Sequence, residues 1–225
     1  MRAIHAGAIS VIRDGAHSGT VNMQRDLDLL LAAEKGIAGC RVYSWEVPCV
    51  SVGRFQSIDR GLIDPNAISW VRRPSGGKAV LHGWDVTVGL AVPLAELPVS
   101  TPRHLEPIYR STVRPIVAAL RACGVDAILA ADSPYRGSGV HSGDCFAYAS
   151  PNDVVEATTG AKLCGCALRL TQTAVLVQAS IPAANPEIDP ESVIVGAKAT
   201  PVAPWESSSF ADALEAALAQ GWSHP

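Results

Sequence analysis

Apolar and polar positions alternate with a period of two through 40-CRVYSW-45, 49-CVSVG-53, 69-SWVRR-73, 78-KAVLH-82 and 86-VTVGLAV-92. Successive side chains of an extended chain face opposite sides, so these runs predict strands, each ended by turn residues. A different spacing holds at Asn22 to Lys35, where Met23, Leu27, Leu30 and Leu31 fall on one helical face and Gly36 stops the run. A second helical stripe, Val113, Ile116, Val117 and Leu120, follows Thr101 and Pro102 and stops at Gly124; Pro107 and Pro115 predict a break or kink near one end. Residues 125–130, 153–158, 162–170 and 173–181 then read as further strands, and 207–221 as an amphipathic helix carrying Phe210, Leu214, Ala217 and Leu218. The pattern is α+β: a mixed or antiparallel sheet flanked by helices. With neither a repeat nor a low-complexity linker in view, residues 1–221 are expected to form a single domain. Residues 222–225, WSHP, match the start of an affinity tag and are set apart as a tag remnant or tail.

Composition narrows this reading only a little. At 225 residues, 48% hydrophobic and 17% charged, the chain can bury a sizeable core. A formal net charge of −3 supplies no general attraction to nucleic acid or anionic membrane, so neither is expected as a partner. No apolar run reaches the roughly 18 residues a membrane span requires. Arg13 and Asp14 interrupt the N-terminal stretch before a secretory core forms, and a cytoplasmic location is expected. The six cysteines are scattered without a framework spacing and are expected as free thiols.

Three stretches carry residues suited to chemistry. In 72-RRPSGGKAVLH-82, two glycines permit close backbone approach among Arg72, Arg73 and Lys78, so the turn can hold a carboxylate or phosphate. The same residues also fit an ordinary surface turn. In 159-TGAKLCGCALRL-170, Lys162 enters a run of small residues and can polarise a carbonyl, or simply be a solvated strand-end lysine. In 141-HSGDCFAYASPND-153, Cys145 lies in a polar loop with His141 and Asp144 nearby; it reads as a thiolate nucleophile or as a small buried residue beside Phe146. Cys164 and Cys166 share one face of a strand but lack a second pair at ligand spacing, so no metal site is expected.

These stretches, taken with 22-NMQRDLDLLL-31, 51-SVGRFQ-56 and 176-LVQASI-181, occur in an order that resembles the lipoate–protein ligase and octanoyltransferase family of the biotin/lipoate ligase superfamily. The resemblance covers most of residues 20 to 182. It implies that family's catalytic-domain fold and the delivery of a medium-chain acyl group to a lysine of a lipoyl domain or glycine-cleavage H-like protein. It also implies a substrate wall formed by Arg72, Ser75, Gly76, Gly77, Lys78, Ala79, Val80 and His82, with Gly165 and Ala167 facing it and the Arg54–Gln56 turn helping to shape the cleft. Lys162 matches the family's essential lysine at the acyl carbonyl. Cys145, followed by Phe146 and with Lys162 seventeen residues on, resembles the cysteine of ligase-like octanoyltransferases, which take octanoate from acyl carrier protein through a cysteine thioester. That route requires no cofactor. The alternative is a ligase using ATP and Mg to activate free lipoate, with a separate accessory subunit, since about forty residues follow position 182. A second alternative is a non-catalytic acyl-binding protein. Biotin ligation is disfavoured, because neither a Gly-Arg-Gly-Arg loop nor a Lys-Trp-Pro-Asn-Asp stretch is present. The chain departs from the family's usual pattern at three positions: Lys78 stands where many ligases have a third glycine, Leu168 where a glutamine is usual, and Gln178 where a histidine is usual.

Overall fold

A computed structural model of the chain describes residues 9–99, 105–135 and 142–222. His141 and residues 223–225 of the WSHP stretch lie outside them. The strands are β1 (Val11–His17), β2 (Gly39–Trp45), β3 (Cys49–Val52), β4 (Ser69–Arg72), β5 (Val80–His82), β6 (Asp85–Pro93), β7 (Ala127–Leu129), β8 (Val154–Glu156), β9 (Lys162–Leu170) and β10 (Ala174–Pro182). The helices are α1 (Gly19–Glu34), α2 (Ile58–Gly61), α3 (Leu105–Ala122), α4 (Pro190–Val193) and α5 (Phe210–Ala219). Seven strands form one sheet in the order β1-β2-β6-β10-β9-β8-β7, and β4-β3-β5 form a second, smaller one. The large sheet is antiparallel throughout except for the β1–β2 pair.

β1 is an element the alternation does not signal. Its sequence, VIRDGAH, carries charge at its centre, and its pairing with β2 shifts register between Arg13 and Ala16, where Gly15 takes φ +66°. An irregularity of this kind breaks the two-residue period from which strands are read. α3 differs from expectation in the other direction, running unbroken through Pro115. Pro107 lies in the first turn, where no helical N–H partner is needed, and burial of Ile108, Val113, Ile116 and Leu120 outweighs the one bond Pro115 removes.

α3 and α5 cover one face of the large sheet over the main core, which includes Val88, Leu90, Val175, Val177 and Phe210. α1 lies against β6 and β10 and turns Met23, Leu30 and Ala33 inward, while Leu31 is left exposed. Two polar residues, Asn22 and Asp26, share that buried face. Asp26 Oδ1 accepts from Arg41 Nη1 at 2.8 Å, and its Oδ2 accepts from Tyr43 Oη at 2.9 Å and Gln178 Nε2 at 2.6 Å. Burial raises the Asp26 carboxyl above the usual carboxylate range, and these donors only partly counter it. Because Gln178 Oε1 also accepts from Ser75 Oγ at 2.6 Å, this polar chain joins α1, β2 and β10 to the glycine turn before β5. Among the described residues no helix is long and apolar enough to cross a membrane.

Candidate active site

The glycine turn is built around Arg73. This buried guanidinium donates to Gly76 O from Nε and Nη2 (3.1 and 2.7 Å), to Lys78 O from Nη2 (2.6 Å), and to Ser51 O and Oγ from Nη1 (2.9 and 3.2 Å). Gly77 has φ +89°, and a Cβ there would sit 2.9 Å from Arg73 Nη2, so both conformation and space require glycine. Gly53 faces the same turn; a Cβ on it would lie 1.9 Å from Gly77 O. Arg72 stands outside the turn and donates from Nη1 to Gly53 O, Arg54 O and Gln56 O at 2.9, 3.3 and 2.8 Å, bracing the 53–56 loop.

That loop and the turn together seat Cys145. Gln56 Nε2 and Ala79 N both donate to Gly143 O (2.9 and 2.8 Å), and Cys145 N donates to Ala79 O at 2.8 Å. Asp144 caps the short helical turn at 145–147 by accepting from Phe146 N at 3.0 Å. The thiol is thereby aimed at Lys162, at the start of β9: Nζ lies 3.4 Å from Cys145 Sγ and donates to Cys145 O at 2.7 Å. Lys162 is not a solvated strand-end lysine. It forms an ion pair with Asp153 at 2.8 Å, and the two side chains are only 6% and 3% exposed. Burial pulls the Lys162 ammonium down, but the opposing Cys145 and Asp153 more than reverse this, and its pKa ends above the usual lysine value. For Cys145, burial dominates over the attraction of Lys162 and pushes the thiol up. At rest the pair is therefore a neutral thiol beside an ammonium.

A small cavity opens beside the sulfur, about 30 Å³ in volume, lined by Cys145, Gly165, Ala167, Val80, His82 and Met23 among others. It has room for one or two water molecules. Ser51, Arg73 and Gln178 also face it, whereas Arg72, Ser75, Gly76, Gly77, Lys78 and Ala79 do not. Ser75 and Ala79 are buried behind the wall, and Gly76 and Lys78 present their carbonyls to Arg73. His82 is fixed on both nitrogens, with Nδ1 2.8 Å from Asp85 Oδ2 and Nε2 2.8 Å from Ser51 Oγ, and it stacks on Trp45 at 3.9 Å. Burial works to raise the Asp85 carboxyl, but His82, Ser180 and the Gly83 N–H hold it below the usual range. Held on both ring nitrogens and stacked on Trp45, His82 acts as a fixed wall of the cavity.

Sequence reasoning did not single out Asp153, which anchors Lys162 and also accepts from Cys166 N at 3.0 Å and Ser150 N at 2.7 Å. No local motif marks it; only strand pairing brings it under β9. Sequence reasoning named Arg72, and not Arg73, for the substrate wall; at the end of β4 the two side chains part, and Arg73 is the one that lines the cavity. Cys164 and Cys166 bring their sulfurs within 3.5 Å as free thiols, and among the described residues no group of ligands could hold a metal ion.

Residues 18–198 match the lipoyl protein ligase A/B catalytic domain. The chain belongs to this family. Similar relatives include the octanoyltransferase LipM of Kyrpidia tusciae, 30% identical over 81% of this chain and 68% of that protein. The octanoyltransferase LipM of Bacillus cereus is 28% identical over 76% of this chain, which spans 64% of its length. Among solved structures, the bipartite lipoate protein ligase of Thermoplasma acidophilum superposes with a TM-score of 0.61 at 19% identity, covering 95% of this chain and 81% of that one, a likeness of fold. The mixed sheet flanked by helices is thus that of lipoate–protein ligase catalytic domains.

Proposed function

We propose that this lipoyl ligase-family chain is an octanoyltransferase of protein lipoylation that works through an acyl-Cys145 thioester. The observation that carries this reading is the 3.4 Å approach of Lys162 Nζ to Cys145 Sγ beside a cavity. A thioester carbonyl entering there meets a nucleophile and a fixed cation together. The N–H groups of Cys145 and Phe146 are already engaged by Ala79 O and Asp144, so stabilising the developing oxyanion falls to Lys162. The Cys145 sulfur bonds to the acyl carbon, the donor's carbon–sulfur bond breaks, and the departing sulfur takes the proton Cys145 gives up. The acceptor amine, a lysine of a lipoyl domain or H-like protein, then attacks the acyl carbon and returns a proton to Cys145. The thiol–thioester exchange is close to isoenergetic and the amide-forming step runs downhill, so neither draws on nucleotide or metal.

Incubation with octanoyl-carrier protein followed by intact-mass measurement tests this. One octanoyl adduct is expected on the wild type and none on Cys145→Ala, with the adduct discharging onto a lipoyl domain. Lipoyl-adenylate formed from lipoate and ATP, with Cys145→Ala still active, points instead to the ligase route. Octanoate binding without transfer to any acceptor points to an acyl-binding protein.

A further inference from the structure

A thioester poised between Cys145 and Lys162 has two arms leaving its carbonyl. The acyl arm ends, so it suits a closed pocket. The carrier arm must continue to solvent, so it needs an open one. Two cavities flank the Cys145–Lys162 pair, one lined by Cys145 and the other by Lys162, and the residues around them differ in burial. The cavity on the Cys145 side is walled by buried residues, Ser51, Arg73, Val80, His82 and Gln178 among them. On the Lys162 side lies a second cavity of about 420 Å³, within the roughly 300–1,000 Å³ of small-molecule sites. Lys162 and Phe146 line it, as does the exposed Lys198. Its roof is the extended segment 198–205, held by Trp205 Nε1 to Pro182 O (2.9 Å), Val202 N to Asn185 Oδ1 (2.8 Å) and Ala199 N to Glu191 Oε1 (3.1 Å).

We infer that this larger cavity receives the 4′-phosphopantetheine arm of the acyl donor, an inference that rests on the octanoyltransferase reading. The arm is apolar at its gem-dimethyl centre, has two amides, and carries its single charged group at the outer end. The lining matches this, with Trp84, Leu163 and Ile181 as apolar surface, Asp126 and Glu156 as acceptors for amide N–H groups, and Lys198 as the exposed cation. The charge balance disfavours a nucleoside triphosphate, since Asp85, Asp126, Asp144 and Glu156 face the cavity against Lys162 and Lys198. With the arm in this berth, its sulfur lies at Lys162 and the carbonyl reaches Cys145, and the small cavity must widen around Met23, an adaptable side chain, to take the acyl chain.

The test compares Cys145 acylation by octanoyl-phosphopantetheine with that by octanoyl-N-acetylcysteamine, which lacks most of the arm. The wild type should favour the full arm in kcat/KM by about tenfold or more. Val202→Trp and Ala184→Trp, which fill the cavity from its roof and its mouth, should each bring that ratio to within about threefold of one. Equal rates in the wild type, or a preference that survives both substitutions, overturn the inference while leaving the acyltransferase reading intact. No adduct from any octanoyl thioester ends both. Calorimetry adds a readout independent of turnover: heat with desacyl phosphopantetheine supports the assignment, and heat with ATP alone overturns it. Octanoyl-carrier protein and octanoyl-coenzyme A present the same arm, and the faster donor identifies its source.

Discussion

Asp153→Asn removes the carboxylate 2.8 Å from Lys162 Nζ while nearly preserving side-chain volume. The two side chains are only 6% and 3% exposed, so solvent cannot screen the charge left behind. Stranding one member of a buried ion pair costs about 3–5 kcal/mol. The Cys166 N–H bonds to Oδ1 and the Ser150 N–H to Oδ2, and asparagine offers an acceptor to only one of them, so the full range of about 3–5 kcal/mol is expected. For a chain of this length each kcal/mol moves the melting temperature by roughly 2–4 °C, so a drop of roughly 6–20 °C is expected. With Cys145 a neutral thiol, the carboxylate is the charge that holds the Lys162 ammonium up against its burial, so without it the lysine deprotonates at lower pH. Acylation of Cys145 should therefore gain a falling alkaline limb that the wild type lacks. The assays are thermal denaturation and the rate of octanoyl adduct formation against pH. The double variant Asp153→Asn/Lys162→Met leaves no stranded charge and should recover most of the lost stability while remaining inactive. If the single variant melts with the wild type, or the double loses the sum of the two single losses, the ion pair does not hold the lysine as described.

Three further predictions use other parts of the site. A Cβ at Gly165 would lie 3.0 Å from Cys145 Sγ and 3.5 Å from Lys162 Cε, so Gly165→Ala should slow acylation by about 10- to 100-fold with little change in melting temperature. Since burial raises the Cys145 thiol, wild-type acylation should climb about tenfold per pH unit from neutrality through the usual thiol range; a plateau near pH 7 would mean a preformed thiolate. Arg73→Met leaves the carbonyls of Ser51, Gly76 and Lys78 without this donor, at about 1–3 kcal/mol for each one buried, whereas Arg72→Met should cost about 1 kcal/mol; urea unfolding of the two variants should separate them.

Strands β2, β3, β6, β9 and β10 are legible in the sequence because half-buried or buried extended runs keep their two-residue period between clear turns. What depends on long-range pairing is not legible. β1 is hidden by its bulge, and the split into two sheets follows from which strands meet, which local alternation does not encode. The same limit applies at the site. Cys145, Lys162 and the glycine turn stand out as residue types in unusual surroundings. Asp153 and Ser51 carry no such signal, and they matter only because the fold places one under Lys162 and the other between Arg73 and His82. Gln178, a departure when met in the sequence, serves here as the link between Ser75 and Asp26.

The way Arg73 grips the glycine turn bears on how freely that turn can change. Its contacts to Gly76 and Lys78 are to main-chain oxygens, which every amino acid supplies. Position 77 is locked by its φ of +89° and by Arg73 itself, but Lys78 lies outside the left-handed region, so its backbone makes no demand for glycine. A lysine at this position thus leaves the clamp intact. What a substitution at 78 would change is the side chain's own contact, Nζ 4.2 Å from the centre of the Tyr148 ring, so libraries aimed at the lip of this turn can probe that contact while the main-chain clamp stays constant.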